Sequence, residues 1–392
     1  MNCLSAMPRG EDLSWRLDRR YRSDMRFELA LGEDEPAIRR LLRRTPIPGD
    51  ITLSLEREPS AHIANSVASK HTQILVARTE DNGEVVAMGV RGVMDWYVNG
   101  TPSKIGYLGQ LRVDPSYRAR PRLLLRGYAK FKELHEADGC TQIYATTIMA
   151  DNMPARRALE SPMKGMPSYK HIDDLVTLAI TTRTGSPMSL PGVQIADATM
   201  GDSKEIEECL ARYGSRYQFT PVWSQTVLKD PGRMRDLQVN DFILARRNDK
   251  VVGCVALWDQ RNFKQTVVRG YSWQLACVRP AANVLSRLIG SPRLPPIGEQ
   301  LDMAYVSHIA VDGDDPEVLE ILLRRALARA AEKGVTLVSL GFSHRNVLAE
   351  FVAARFRARK YHSRIYVVFW PDGADTAAAI KSIPSHLEVA IL

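Results

Sequence analysis

Two distant stretches of this chain carry one pattern, and that repetition limits the folds open to it more than any other feature. Setting Val113 on Val311 without a gap places Leu124-Leu125 on Leu322-Leu323; Gly139 then answers Gly334, and Asn152 answers Asn346. Upstream, Gln73 to Arg91 matches Phe242 to Trp258, each alternating in hydropathy about an Asn-Gly or Asn-Asp turn, which predicts a hairpin. Two copies of one strand-and-helix unit are the economical reading.

Length and composition agree. At 392 residues the chain suits two domains of about 160 to 180 residues, and 45% apolar with 25% charged residues lets each bury a core. Thr184 to Pro187 and Pro191-Gly192 mark a linker over 184–192, between domains at 25–183 and 193–372. Residues 1–24 read as an N-terminal arm, and 373–392 as a tail with a helical stretch and an apolar end suited to docking. Leu285 to Gly298, rich in proline, is expected to reach across to the first domain. No apolar run approaches a membrane span, and the start lacks a secretory pattern, so the expected location is cytoplasmic. Five scattered cysteines argue against a disulfide frame or structural zinc; Cys254 and Cys277 read as small buried hydrophobes. No metal is expected. His135 reads as an exposed helix end before Gly139, not as a ligand with Cys140.

The chemistry concentrates in the first copy. Tyr107 to Asp114 alternates as a half-buried strand, Pro115 closes it, and Arg118, Arg120 and Arg122 follow at every second position before a helix with Leu123, Leu124, Tyr128 and Phe131. Between Thr101 and His135 there are eight Lys and Arg against Asp114 and Glu133. Guanidinium groups gathered at a helix start suit a phosphate or pyrophosphate.

These residues resemble the acyl-CoA signature of the GNAT N-acetyltransferase superfamily, V-x-P-x-x-R/Q-x-x-G-x-G/A before a leucine-rich helix. Val113, Pro115, Arg118 and Leu124 match, whereas Pro121 and Leu123 stand at the two small positions. Asn152 with Ala155 fits the family's Asn after the next strand, and Leu159 replaces its usual tyrosine. The resemblance implies an α/β (α+β) protein of two tandem GNAT-like domains, each a mixed, mostly antiparallel sheet flanked by helices. It also implies acetyl-CoA or another acyl-CoA as co-substrate and an amine as acceptor, with the thioester arm between two splayed parallel strands, Tyr107 to Asp114 and Ile143 to Met149. The cofactor residues it implies are Leu111, Val113, Arg118, Ala119, Arg120, Arg122, Leu123 and Asn152. Glu56 and Glu58, on the loop that caps the acceptor site in this superfamily, are the first candidates for the base; Tyr107, Asp95 and Tyr144 come next.

In the second copy Pro316, Val318 and Glu320 replace the three arginines within an acidic turn that repels polyphosphate. The cofactor site is therefore assigned to the first copy only, with the second as scaffold. Tyr305, Ser307, His308 and His344 fall where the second site would have been. Two other readings stay open: an aminoacyl-tRNA-dependent transferase, which binds tRNA through charge, and a non-catalytic module that binds acyl-CoA or a partner. The arginines' confinement to one turn favours CoA.

Overall fold

The computed structural model describes residues 25–118, 120–161, 163–182, 188–289 and 293–392. The first half runs β1 (Met25–Leu29), α1 (Glu35–Arg44), β2 (Ile51–Glu56), α2 (Ala61–Ser66), β3 (His71–Thr79), β4 (Val85–Val98), β5 (Thr101–Val113), α3 (Pro121–Asp138), β6 (Tyr144–Met149), α4 (Met153–Glu160) and β7 (Ser168–Thr181). The second half runs β8 (Gln194–Asp197), α5 (Ser203–Gly214), α6 (Gln225–Leu228), β9 (Phe242–Arg247), β10 (Lys250–Trp258), β11 (Gln265–Tyr271), α7 (Trp273–Ile289), β12 (Met303–Val311), α8 (Pro316–Glu332), β13 (Leu337–Ser343), α9 (Val347–Arg355), β14 (Arg359–Phe369) and α10 (Ala374–Ala378).

Local chemistry explains the shared frame. Asn248 and Asp249 both take positive φ between the paired Arg247 and Lys250, the two-residue turn a twisted hairpin requires. Gly139 ends α3 in the left-handed region, with its N–H on His135 O at 3.1 Å. Asn152 and Asn346 start α4 and α9 alike, each side-chain oxygen accepting a main-chain N–H of the first turn, from Ala155 and Leu348. Asp315 does the same for α8.

Twelve strands form one sheet in the order β1-β3-β4-β5-β6-β14-β7-β13-β12-β10-β9-β8. That order is a palindrome of the two copies, β1 answering β8, β3 β9, β4 β10, β5 β12, β6 β13 and β14 β7. The last strand of each half is thus exchanged. β14 lies between β6 and β7, both antiparallel to it, while β7 reaches β13. The halves share one core as well: Trp96, Ile105 and Ile143 pack in a cluster with Phe242, Trp258, Ile365 and Ile391. The segment that reaches across is β11, which pairs antiparallel with β2, Gln265 opposite Glu56. This corrects the expectation for Leu285 to Gly298, whose first residues belong to α7 and whose last turns back onto β11 through Gly298 N–H to Val268 O. Residues 290–292 of it, residues 183–187 at the start of the linker, and the arm 1–24 lie outside the described residues. Among the described residues no helix is long and apolar enough to cross a membrane.

Candidate active site

β5 and β6 pair in parallel only at Gly106 with Tyr144 and Tyr107 with Ala145. Beyond that point β5 follows β4, whereas β6 follows β14 as far as Met149, and a wedge opens between them. A bulge in β5 sets the wedge: the register to β4 shifts between Met88 and Val90, and Gln110 takes φ 51°. The hinge of the wedge is locked. The Tyr144 ring covers Gly106, where any Cβ would overlap it, and its hydroxyl accepts from Arg91 Nε at 2.9 Å. Arg91 in turn clasps both Asp138 oxygens, at 2.6 and 2.8 Å. His135 completes the network, 3.0 Å from the Tyr144 hydroxyl and 2.8 Å from Asp372. His135 is therefore buried rather than exposed, and Tyr144, its hydroxyl already engaged and its pKa pushed up to about 12 by burial, is structural.

Tyr107 stands at the mouth of the wedge. Its hydroxyl lies 3.2 Å from Thr147 Oγ1, and burial raises its pKa above the usual phenol value. It borders a small cleft with Asn65, Thr72, Gln110, Ile391 and Leu392. In that cleft Gln110 Nε2 donates to Asn65 Oδ1, leaving Asn65 Nδ2 and Gln110 Oε1 buried without partners among the described residues. On the other face of the sheet, Leu111, Val113 and Leu123 border an apolar cleft of about 370 Å³ beneath α3.

The arginine turn lies where α3 begins. Arg118 is exposed with Nε on Val113 O at 3.3 Å, Arg120 stacks over the Tyr117 ring at 4.6 Å, and Arg122 is exposed. Ala119 lies outside the described residues. Leu123 turns its side chain into the core against Met25, Ala77 and Val86, and its N–H bonds Arg120 O, so it contributes packing where a phosphate contact was expected. Asn152 caps α4 at an exposed position. Glu56 and Glu58 are drawn away from base chemistry. Buried Glu56 accepts from Arg269, Arg43 and Ser54, and Glu58 from Arg39 and Arg43, so their oxygens are spent on joining α1, β2 and β11. Asp95 is exposed beside Lys104 at 3.9 Å.

The second copy repeats the wedge and closes it. β12 and β13 pair only from Met303 to Tyr305 and then part; β12 bulges at His308, again with φ 51°. The tail fills the gap. Glu388 Oε2 accepts the His308 N–H at 2.8 Å, Ser385 binds Asp173 through N–H and hydroxyl, and Val389 covers Gly341 so closely that a Cβ there would overlap it. Burial pushes the Glu388 carboxyl up to about 7. The tail then passes on to set Ile391 and Leu392 against the first cleft. His308 is a core histidine, caged by Trp223 at 4.0 Å, Phe242 and Trp258, its pKa lowered to about 3 by burial. The acidic turn is internally balanced, Asp312 by Arg212 and Asp314 by Arg216 and Tyr217. Cys254 is buried as read from the sequence, while Cys277 is exposed on α7. Among the described residues no cluster of His, Cys, Asp or Glu suits a metal ion.

Replacing Gly341 with valine is expected to force the tail out of this wedge at a cost of about 1–3 kcal/mol. Adding Val389→Ala should recover part of the lost urea midpoint. A Gly341→Val protein as stable as the parent would show that the tail does not fill the wedge.

A sheet that splays between two parallel strands beside a leucine-rich helix is the GNAT fold. No protein-family model and no curated protein matches the sequence. Solved structures do match in fold. A GCN5-related N-acetyltransferase from Sphaerobacter thermophilus covers 88% of this chain and 95% of its own at 14% identity, with a TM-score of 0.51. A GCN5-related glucosamine N-acetyltransferase region of a fungal multi-domain GH3 beta-N-acetylglucosaminidase also covers 88% of this chain at 14% identity, with a TM-score of 0.57; this chain spans 38% of that longer protein.

Proposed function

We propose that the protein is an acyl-CoA-dependent N-acyltransferase, with acetyl-CoA as donor and an amine as acceptor, working in the wedge of the first half. The carrying observation is the contrast between two equivalent wedges: in the first the strands part beside an arginine turn and border a cleft, and the second is filled by the protein's own tail beside an acidic turn. In the second wedge a carboxylate oxygen accepts the bulge N–H of His308. The counterpart in the first is the N–H of Gln110, and a thioester carbonyl in the same position would receive that hydrogen bond and be polarised by it. Arg118, Arg120 and Arg122 are the residues to hold the CoA phosphates, by side-chain contacts, since Pro121 has no N–H to give.

The reaction needs the amine to attack the thioester carbon, lose a proton, and expel the CoA thiolate. Tyr107 is the group at the wedge that can protonate the thiolate, because burial keeps its phenol protonated at neutral pH. An amine that enters uncharged, the form the nearby charge of Arg112 favours, still sheds one proton from the tetrahedral adduct; that proton passes to the tyrosinate left when Tyr107 protonates the thiolate, so the net transfer from nitrogen to sulfur needs no carboxylate.

Arg118→Ala and Arg120→Ala are each expected to weaken CoA binding about ten- to a hundredfold, the loss of a charge-assisted phosphate contact of about 1.5–3 kcal/mol. Asp314→Ala should leave it unchanged. Calorimetry on the full chain checks this; equal effects at the two turns would overturn the assignment of the site to the first half.

A further inference from the structure

Two basic side chains are buried where the halves meet, and among the described residues neither is in contact with an acid. Arg57 follows β2 directly and Lys264 precedes β11, so the pairing of Glu56 with Gln265 makes them the next cross-strand neighbours. Arg57 is 6% exposed and Lys264 8%. Among the described residues neither lies within ion-pair distance of a carboxylate. Arg57 Nη1 donates to Glu56 O at 2.9 Å and its Nε has no partner, while Lys264 Nζ donates to Ala390 O at 2.8 Å. The two charges repel each other, and Arg57 also feels Arg112, which acts in turn on Tyr107. Glu388 is the carboxylate that acts on Lys264, but its oxygens are held by the N–H groups of His308 and Ala390.

Burying two basic groups with one carboxylate near them and none in contact is costly: burial lowers the pKa of both, Lys264 well below the usual amine value and Arg57 to about 10, and an anion bound beside them would restore the charged forms. The cleft that Tyr107 borders reaches this pair through the tail, since Ala390, which accepts from Lys264, is followed by Ile391 and Leu392 on the cleft wall; no lining residue carries an acidic side chain to receive a second ammonium. A polyamine or an aminosugar with several amines would therefore bring like charge to like charge. We propose that Arg57 and Lys264 bind an anionic group on the acceptor, so that the acceptor is an amine carrying a carboxylate or a phosphate, of amino-acid or aminoalkyl-phosphate type. The inference rests on the acyl thioester occupying the first wedge. Asn65 and Gln110 supply the unpaired donor and acceptor that fix the neutral part of such a molecule between the anion and the thioester.

The test uses the full chain and its Arg57→Gln and Arg57→Lys variants, with CoA affinity measured first by calorimetry. Acetyl transfer is then followed by mass spectrometry with amino acids beside their carboxamides, and with phosphoethanolamine beside ethanolamine. The parent should favour the anionic member of each pair by tenfold or more in kcat/KM. Arg57→Gln should erase that preference, chiefly through KM, and Arg57→Lys should keep part of it. In parallel, with CoA bound, acetate at millimolar concentration should raise the melting temperature of the parent and not of Arg57→Gln. Preference for the uncharged member, or a preference and an acetate shift unchanged in Arg57→Gln, would overturn the proposal. Should CoA fail to bind, the wedge reading falls, and the acetate experiment without CoA alone decides whether the two cations form an anion site.

Discussion

A chain ending at Thr182 is expected to lack a cooperative unfolding transition, although it contains every motif of the first copy. Its sheet would miss β14, the strand that lies between β6 and β7 and pairs with both. Ile365, Tyr366, Val367, Val368 and Trp370, all buried, would leave the cores they fill. At about 2–5 kcal/mol for each large side chain removed, the loss of about 10–25 kcal/mol equals or exceeds the roughly 5–15 kcal/mol that holds a typical domain together. Near-UV circular dichroism and a urea titration check this, and adding a second fragment from Met188 to Leu392 should restore both the transition and CoA binding. If the first fragment alone unfolds cooperatively and binds CoA with the affinity of the full chain, the strand exchange is not what holds the halves together.

Tyr107→Phe carries the second large effect. Among the tyrosines near the wedge, Tyr144 already serves Arg91 and His135, and Tyr366 donates to Glu160, whereas Tyr107 has one long contact with Thr147 and borders the acceptor cleft. Its removal should lower kcat about 10²–10⁴-fold, the ordinary contribution of a positioned acid. The CoA dissociation constant and the melting temperature should stay within error, since one hydroxyl at the mouth of the wedge is lost and the ring remains. A loss shared between kcat and CoA affinity would mean that the ring positions the cofactor and the proton comes from elsewhere.

Much of the frame was legible in the sequence because it rests on local chemistry. The hairpin turn at Asn248-Asp249, the helix stop at Gly139 and the Asn caps at 152 and 346 are each decided by a few neighbouring atoms. The alignment of Val113 with Val311 likewise survives as matching bulges at Gln110 and His308. The exchange of β7 and β14 was not legible. A strand's hydropathy pattern announces a face, never which edge of which sheet it joins. Glu56 misled for a similar reason: its partner Arg269 comes from the other half, through the β2–β11 pairing that no motif marks. The bulge at Gln110 has no signal in a glutamine, and the plug at Glu388 depends on a tail whose sequence says only that it is apolar. Leu123 was read as a cofactor position by its place in the signature, but its spacing with Phe131 puts it on the buried face of α3.

Hydrogen exchange with and without CoA tests most directly the claim that one wedge works and the other is closed. Bound CoA is expected to slow exchange over Leu108 to Val113, over Thr146 to Met149 and at the start of α3. Amides from Val306 to Val311 and from Leu340 to Ser343 should already be slow without CoA and should not change. Protection arising in the second set on adding CoA, or no change in the first, would contradict the account.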